Sequence, residues 1–178
     1  RTEVTDSKGR IIKTQTIYPQ DIAAPNRTVT EQKLIDQHQI AAAIDVITTE
    51  QVGGAEEVLS KVHNEYKDWG NNVLLPEEVL TAKGSNDLEL RVKYTSYDNF
   101  GNPTEVAKAD GTPMAYIWGY DHQYPVAKIE NMTYSGVSAY VGEIQNKSNS
   151  DTDHKMGNQG TEGALRTELN KLHVELPA

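Results

Sequence analysis

The sequence predicts a mainly β fold, an antiparallel meander of hairpins with one or two short helices, on three observations. Runs rich in β-branched and aromatic residues recur along the chain, short turn signals separate them, and only a few segments carry apolar residues at helical spacing. The densest evidence lies between Tyr94 and Asn131. There Asp98-Asn99-Phe100-Gly101 and Ala109-Asp110-Gly111-Thr112 are turns with a mechanism. The Asp side chain bonds the backbone two residues on, and Gly supplies a positive φ without a Cβ clash. Around them Leu88 to Tyr94, Thr104 to Ala107, Met114 to Trp118 and Val126 to Ile129 read as strands.

Taken in order, Thr2 to Thr5 and Arg10 to Tyr18 form a hairpin about Asp6-Ser7-Lys8-Gly9, the same D-x-x-G signal that recurs at Asp98 to Gly101. Pro19 and Pro25 bracket a connector. Thr28 to Ala43 carries a helical pattern of about three turns, opened by Thr28 as its cap. Ile44 to Val52 and Ala55 to Tyr66 read as a hairpin around Gly53-Gly54, although Val58, Lys61 and Val62 also fit helical spacing. Asp68 to Asn72 turns, Pro76 interrupts, and Val79 to Ala82 resumes as a strand before the turn at Lys83 to Asn86. Tyr134 to Ile144 fits a strand or a short helix. Asn146 to Gly160 is almost wholly polar, cannot bury enough surface to order itself, and is expected to be mobile. Thr161 is placed to cap a last helix whose Leu165, Leu169, Leu172 and Leu176 form a stripe that needs a partner surface. The expected domains are 1–65 (hairpins with a short helix), 66–145 (the β meander), 146–160 (a flexible loop) and 161–178 (a helix).

Composition excludes some functions. With 26 acidic and 17 basic residues the net charge is -9, which repels nucleic acid, so none is expected as a partner. There is no cysteine, so disulfide and thiolate chemistry are absent. No apolar run approaches the roughly 18 residues of a membrane span. A hydrophobic content of 37% is low for a self-contained globule. The chain opens within a strand and closes just after a helical pattern. An excerpt from a longer polypeptide is expected, its apolar surface completed by the remainder.

Candidate sites are few. Tyr116, Trp118, Tyr120 and Tyr124 are the candidate binding residues, an aromatic platform for a glycan or a protein. Alternation puts Tyr116, Trp118 and Tyr120 on one face, which packing between stacked hairpins requires equally. Asp6, Gly9, Asp98, Gly101, Asn102, Asp110, Gly111 and Gly119 are read as structural turn or close-approach positions. His38, His63, His122, His154 and His173 are scattered without metal-site spacing, and no metal or other cofactor is implied. Asp121-His122 imitates an acid/base dyad, but neighbours on a strand point to opposite faces, so no catalytic residue and no enzyme is expected. Asn149, Asp151 and Asp153 imitate the start of a calcium loop, yet His154 stands where Gly is needed and Gly160 where a bidentate Glu is needed.

Tyr66-Lys67-Asp68-Trp69-Gly70-Asn71 and Tyr97-Asp98-Asn99-Phe100-Gly101-Asn102 share Tyr, an aromatic, Gly and Asn at identical offsets, an internal repeat that suggests stacked hairpin units. The second of them resembles the YD repeat of the RHS/YD-repeat proteins, in which Tyr-Asp opens a hairpin that closes on Gly-Asn. The segment DGTPMAYIWGYDHQYPVAKIEN is similar to one in long RHS-like bacterial surface and secreted proteins, with Val126 where Ile is usual. Asn72 to Val79 and Ala82 to Gly84 resemble the approach to that segment, so the likeness covers Tyr66 to Asn131. It implies a β-shell that encloses or displays another part of a large polypeptide, often a C-terminal toxin lying outside these residues. It also implies export to the medium or the bacterial cell surface, in some relatives by the type IX route. The implied partners are the rest of the same polypeptide, with secretion machinery or a surface partner protein beside it.

Overall fold

The computed structural model describes residues 1–153 and 160–176, and among these the chain is mainly β, nine strands following one another as antiparallel hairpins. Two compact units divide it, Arg1–Lys93 and Tyr94–Ala178. A boundary at Tyr66 would instead cut through a fourteen-residue strand, Ala55–Asp68. Its residues 55–63 pair with the strand before it and 60–68 with the strand after it, so a cut at Tyr66 would split the second ladder.

In the first unit, β1 (Thr2–Thr5), β2 (Ile11–Ile17), β3 (Asp45–Val52), β4 (Ala55–Asp68), β5 (Leu74–Lys83) and the start of β6 (Glu89–Tyr97) pair in sequence order. The register sets Val4 against Ile12, Thr14 against Thr48, His63 against Leu80 and Val79 against Val92. Pro76 does not interrupt β5. The pairing shifts between Glu65 and Tyr66, opposite the proline, so the missing N–H falls at a bulge where the ladder is already broken.

Helix α1 (Val29–Asp36) is eight residues long, half the span expected from Thr28 to Ala43. Its start is as read: the Thr28 hydroxyl accepts the Glu31 N–H at 3.1 Å, and the Glu31 carboxylate accepts the Thr28 N–H at 2.6 Å. Its end was hidden. His38 turns left-handed at φ 61°, and the N–H groups of His38 and Gln39 close on Ile35 and Leu34, a Schellman stop built without glycine. The helix brings Leu34 onto Ile44 and Leu74, all three buried, with Ile22, Ala42 and Tyr66 packed around them.

In the second unit the rest of β6 is followed by β7 (Pro103–Lys108), β8 (Pro113–Gly119), β9 (Tyr124–Glu130), α2 (Tyr134–Asn149) and α3 (Gly160–Glu175). The helices exceed the short ones expected, since α2 and α3 have 16 residues each. Tyr134 to Ile144 resolves as helix, capped by the Thr133 hydroxyl, which accepts the Gly136 N–H at 3.3 Å. Residues 146–149, expected as the start of a mobile loop, are the last turn of α2. Ile144 and Ser148 are buried on its inner side, and burial of that stripe orders the polar turn. The heart of the polar stretch, residues 154–159 with His154, lies outside the described residues. Thr161 is not the cap of α3 but sits inside its first turn, and its N–H is accepted by the Asp153 carboxylate at 3.1 Å. The leucine stripe finds its partner surface within the unit: Leu165 packs with Ile117 and Ile144, and Leu169 and Leu172 lie alongside.

Candidate functional site

Some of the side chains singled out in the sequence meet around two turns of the second unit, Asp98–Asn102 between β6 and β7 and Tyr120–Gln123 between β8 and β9, whereas Asp6, Gly9, His38 and His63 lie in the first unit. The first closes with two backbone bonds, Asp98 N–H to Asn102 O at 2.9 Å and Gly101 N–H to Asp98 O at 3.1 Å, with Gly101 at φ 84°. One Asp98 oxygen accepts the N–H groups of Phe100 and Asn102, each at 2.9 Å. The other accepts the Asn102 side-chain amide at 3.2 Å and faces the His122 ring nitrogen Nδ1 at 3.0 Å. Burial acts to raise the Asp98 carboxyl, but the Asn102 and Phe100 amides and His122 outweigh it, and the group stays below the usual carboxylate range.

The second turn is unusual. Tyr120, Asp121 and His122 are consecutive left-handed residues, at φ 50°, 54° and 64°. An L-residue there costs roughly 1–2 kcal/mol, so something must hold the three in place. Asn102 and the end of α2 do so. The Asn102 amide donates to His122 O at 2.8 Å, the Tyr120 N–H to the Ser148 hydroxyl at 3.2 Å, and the Asp121 N–H to the Asn149 side-chain oxygen at 2.8 Å. The Phe100 and His122 rings stack at 4.2 Å between centroids. Two consecutive hairpins are therefore clasped turn to turn, with Asp98 of the Tyr-Asp pair at the centre. The adjacent Asp121 does not contribute to the His122 pairing; the carboxylate comes from 24 residues earlier.

Gly119 is a close-approach position and not a turn. A Cβ there would lie 2.3 Å from the Ser148 hydroxyl and 2.8 Å from a Val126 methyl. Gly9, Gly101 and Gly111 all take positive φ. Asp6 and Asp110 each cap their own turn, Asp6 by accepting the Lys8 and Arg10 N–H groups and Asp110 that of Thr112.

The aromatic set does not share a face. Ala115, Ile117 and Gly119 are buried beneath the helices, which leaves Tyr116 and Trp118 half-buried on the opposite side of β8. Trp118 donates its ring N–H to Pro103 O at 2.8 Å. The left-handed turn carries Tyr120 round to the helical side, where it packs by Ile117 and donates its hydroxyl to Asp151 at 2.8 Å. That carboxylate raises the Tyr120 phenol above its ordinary range, with burial adding to it. Tyr124 is 62% exposed and meets Tyr120 edge-on at 6.1 Å.

Asn149, Asp151 and Asp153 each hold a protein group, the Asp121 N–H, the Tyr120 hydroxyl and the start of α3 respectively. His63 pairs with Asp45 at 2.8 Å in the first unit, and His173 lies on α3. Sequence reasoning missed Ser148 and Asn149 as turn holders. The available signal was a small residue, Gly119, facing a run of small polar residues at 148–150.

The repeat at Tyr66 does not fold like the one at Tyr97. In the earlier copy Val73 N–H bonds Gly70 O at 3.0 Å about left-handed Asn71 and Asn72 (φ 52° and 61°), a type I′ turn, and the hairpin closes on Trp69 N–H to Val73 O at 2.8 Å with Gly70 bulged at φ 103°. Its aspartate, Asp68, stands one residue later than Asp98 does, so it reaches only the Gly70 N–H and gives its other oxygen to Lys33 at 2.8 Å.

No family model, curated protein or solved structure matches this chain.

Proposed function

We propose that this chain is a non-catalytic structural segment of an exported RHS/YD-repeat-like protein. It would form part of a β-shell that encloses or displays another portion of the polypeptide, such as a C-terminal toxin. The observation that carries this reading is the clasp of Asp98 and Asn102 onto His122. A wall laid down hairpin by hairpin needs each turn fastened to the next, and here the Tyr-Asp and Gly-Asn positions supply that fastening. In this reading the partners are the rest of the same polypeptide and its export machinery, and the chain resides at the cell surface or outside the cell. The division of the aromatics between two faces weighs against the rival reading, a glycan platform.

The test is amide hydrogen exchange on the isolated chain and on the same residues within a longer natural polypeptide. A shell segment gains protection along exposed strands such as β1 and β9 in the longer chain. Identical protection in both settings would overturn the reading.

A further inference from the structure

We infer that Lys13 and Gln51 react with each other to form an isopeptide bond that ties β2 to β3, with Glu56 relaying the protons. The three side chains meet in the first unit. The Lys13 ammonium donates to the Gln51 carboxamide oxygen at 2.5 Å and to Glu56 Oε2 at 3.1 Å. A carbonyl carbon lies about 1.2 Å from its oxygen, so Gln51 Cδ is within about 3.7 Å of the lysine nitrogen, near the range from which nucleophiles attack.

The register brings the groups together. Lys13 opposes Thr49 across β2 and β3, Gln51 follows Thr49 two residues on, and Glu56 of β4 opposes Gln51. All four therefore stand on one face of the sheet. Glu3, opposite Lys13 on its other side, is engaged by Arg1 at 3.5 Å, which leaves Glu56 as the carboxylate in contact with the amine.

Lys13 is unlike the other ion-paired lysines of the described residues. Its side chain is 12% exposed, whereas the other seven keep 34–49%. Among them it alone touches a carboxamide as well as a carboxylate. A nucleophile already stripped of most of its water has less solvent to shed on attack. Glu56 is positioned too: the Thr49 hydroxyl donates to its Oε1 at 2.6 Å and leaves Oε2 for Lys13. Thr49 first and Lys13 second hold this carboxyl below the usual range, so it starts ionised and able to accept a proton.

The step balances without any co-reactant. Glu56 takes a proton from the Lys13 ammonium, and the freed amine attacks Gln51 Cδ. The bond from Cδ to the side-chain amide nitrogen breaks as Glu56 hands protons to the departing group. The lysine nitrogen gives up two protons in all, the leaving group departs as ammonium, and Glu56 ends as the carboxylate it began as. The new bond spans 38 positions of sequence and closes the connector and α1 into a covalent loop, in a chain that has no cysteine for a disulfide.

Intact mass spectrometry of the full chain, on isolation and after incubation, tests this. The expected mass is lower than the sequence mass by about 17 Da, the ammonia lost, and digestion should yield a branched peptide joining Lys13 to Gln51. Lys13→Arg is expected to keep the full mass. Glu56→Gln, a change at a half-exposed position, is expected to slow the loss about a hundredfold or more with circular dichroism unchanged. A wild-type chain that keeps its full mass would show an ordinary ion pair and overturn the proposal. So would a loss that persists in Lys13→Arg, which places the lost ammonia elsewhere, or a rate indifferent to Glu56→Gln.

Discussion

Two pairs of turns give opposite lessons. The segments at Tyr66 and Tyr97 share four residue types at the same offsets, yet one folds as an I′ turn about Asn71 and Asn72 and the other as a D-x-x-G turn closed by Gly101. The segments at Asp6 and Asp98 share only Asp and Gly, yet their backbones agree bond for bond. Asp6 N–H reaches Arg10 O at 2.9 Å, Gly9 N–H reaches Asp6 O at 3.1 Å, and one Asp6 oxygen caps the same two amides. The position of the aspartate relative to the glycine decides the turn, and the aromatics around it do not. What separates the Asp6 and Asp98 turns is the second carboxylate oxygen. In one it holds Arg10 of its own hairpin at 3.0 Å, and in the other it faces His122 of the next hairpin.

The sharpest way to break the likeness is Asp98→Ala. It strips two backbone amides, the Asn102 side chain and His122 of one shared acceptor, and should cost about 2–3 kcal/mol, since bonds to charged groups are the strong ones. Asp6→Ala, by contrast, should cost roughly half of that or less, its carboxylate being more exposed than that of Asp98 and bonded only within its own hairpin. Acid acts on both turns in one direction, since the backbone amides hold both carboxyls low. A carboxyl held low in the folded state gives its full stabilisation above its unfolded value, near 4, and loses it as the pH falls through the folded value. The second unit should therefore weaken in acid below about pH 4, and Asp98→Asn should flatten that dependence.

Gly119→Ala should cost about 2 kcal/mol by forcing α2 off β8, with no counterpart in the first unit. His122→Ala should cost about 1 kcal/mol, and a double-mutant cycle with Asp98→Ala should return a coupling of that size. Gly9→Ala and Gly101→Ala should be equal at about 1 kcal/mol each, because the two backbones are the same. The smallest effect is a gain: Asn72→Gly in the I′ turn should stabilise by a few tenths to about 1 kcal/mol. All are read by denaturant or thermal unfolding, resolved by unit through hydrogen exchange.

The hairpins were legible because their signals are local. Asp6-to-Gly9, Gly53-Gly54 and Asp98-to-Gly101 each fix a turn within four residues, and the strands beside them follow. The errors came from distance. Nothing near His38 announces a Schellman stop, since the usual glycine is missing. The turn 120–122 reads as continuing strand because its left-handed backbone is paid for by Asn102, Ser148 and Asn149, far away in sequence. For the same reason Tyr120 left the face on which alternation placed it. The site was half legible. The Asp98 turn and the glycines could be read directly, whereas the His122 pairing needed the fold.

That dependence on distant residues has a kinetic side. A hairpin with a favourable turn closes on its own, in microseconds. The β8–β9 hairpin cannot, because its turn becomes favourable only when Ser148, 28 residues further along the chain, has arrived with its helix. Folding of the second unit should therefore wait on α2, β8, β9 and the helix forming in one concerted step, while the hairpins of the first unit zip up locally beforehand.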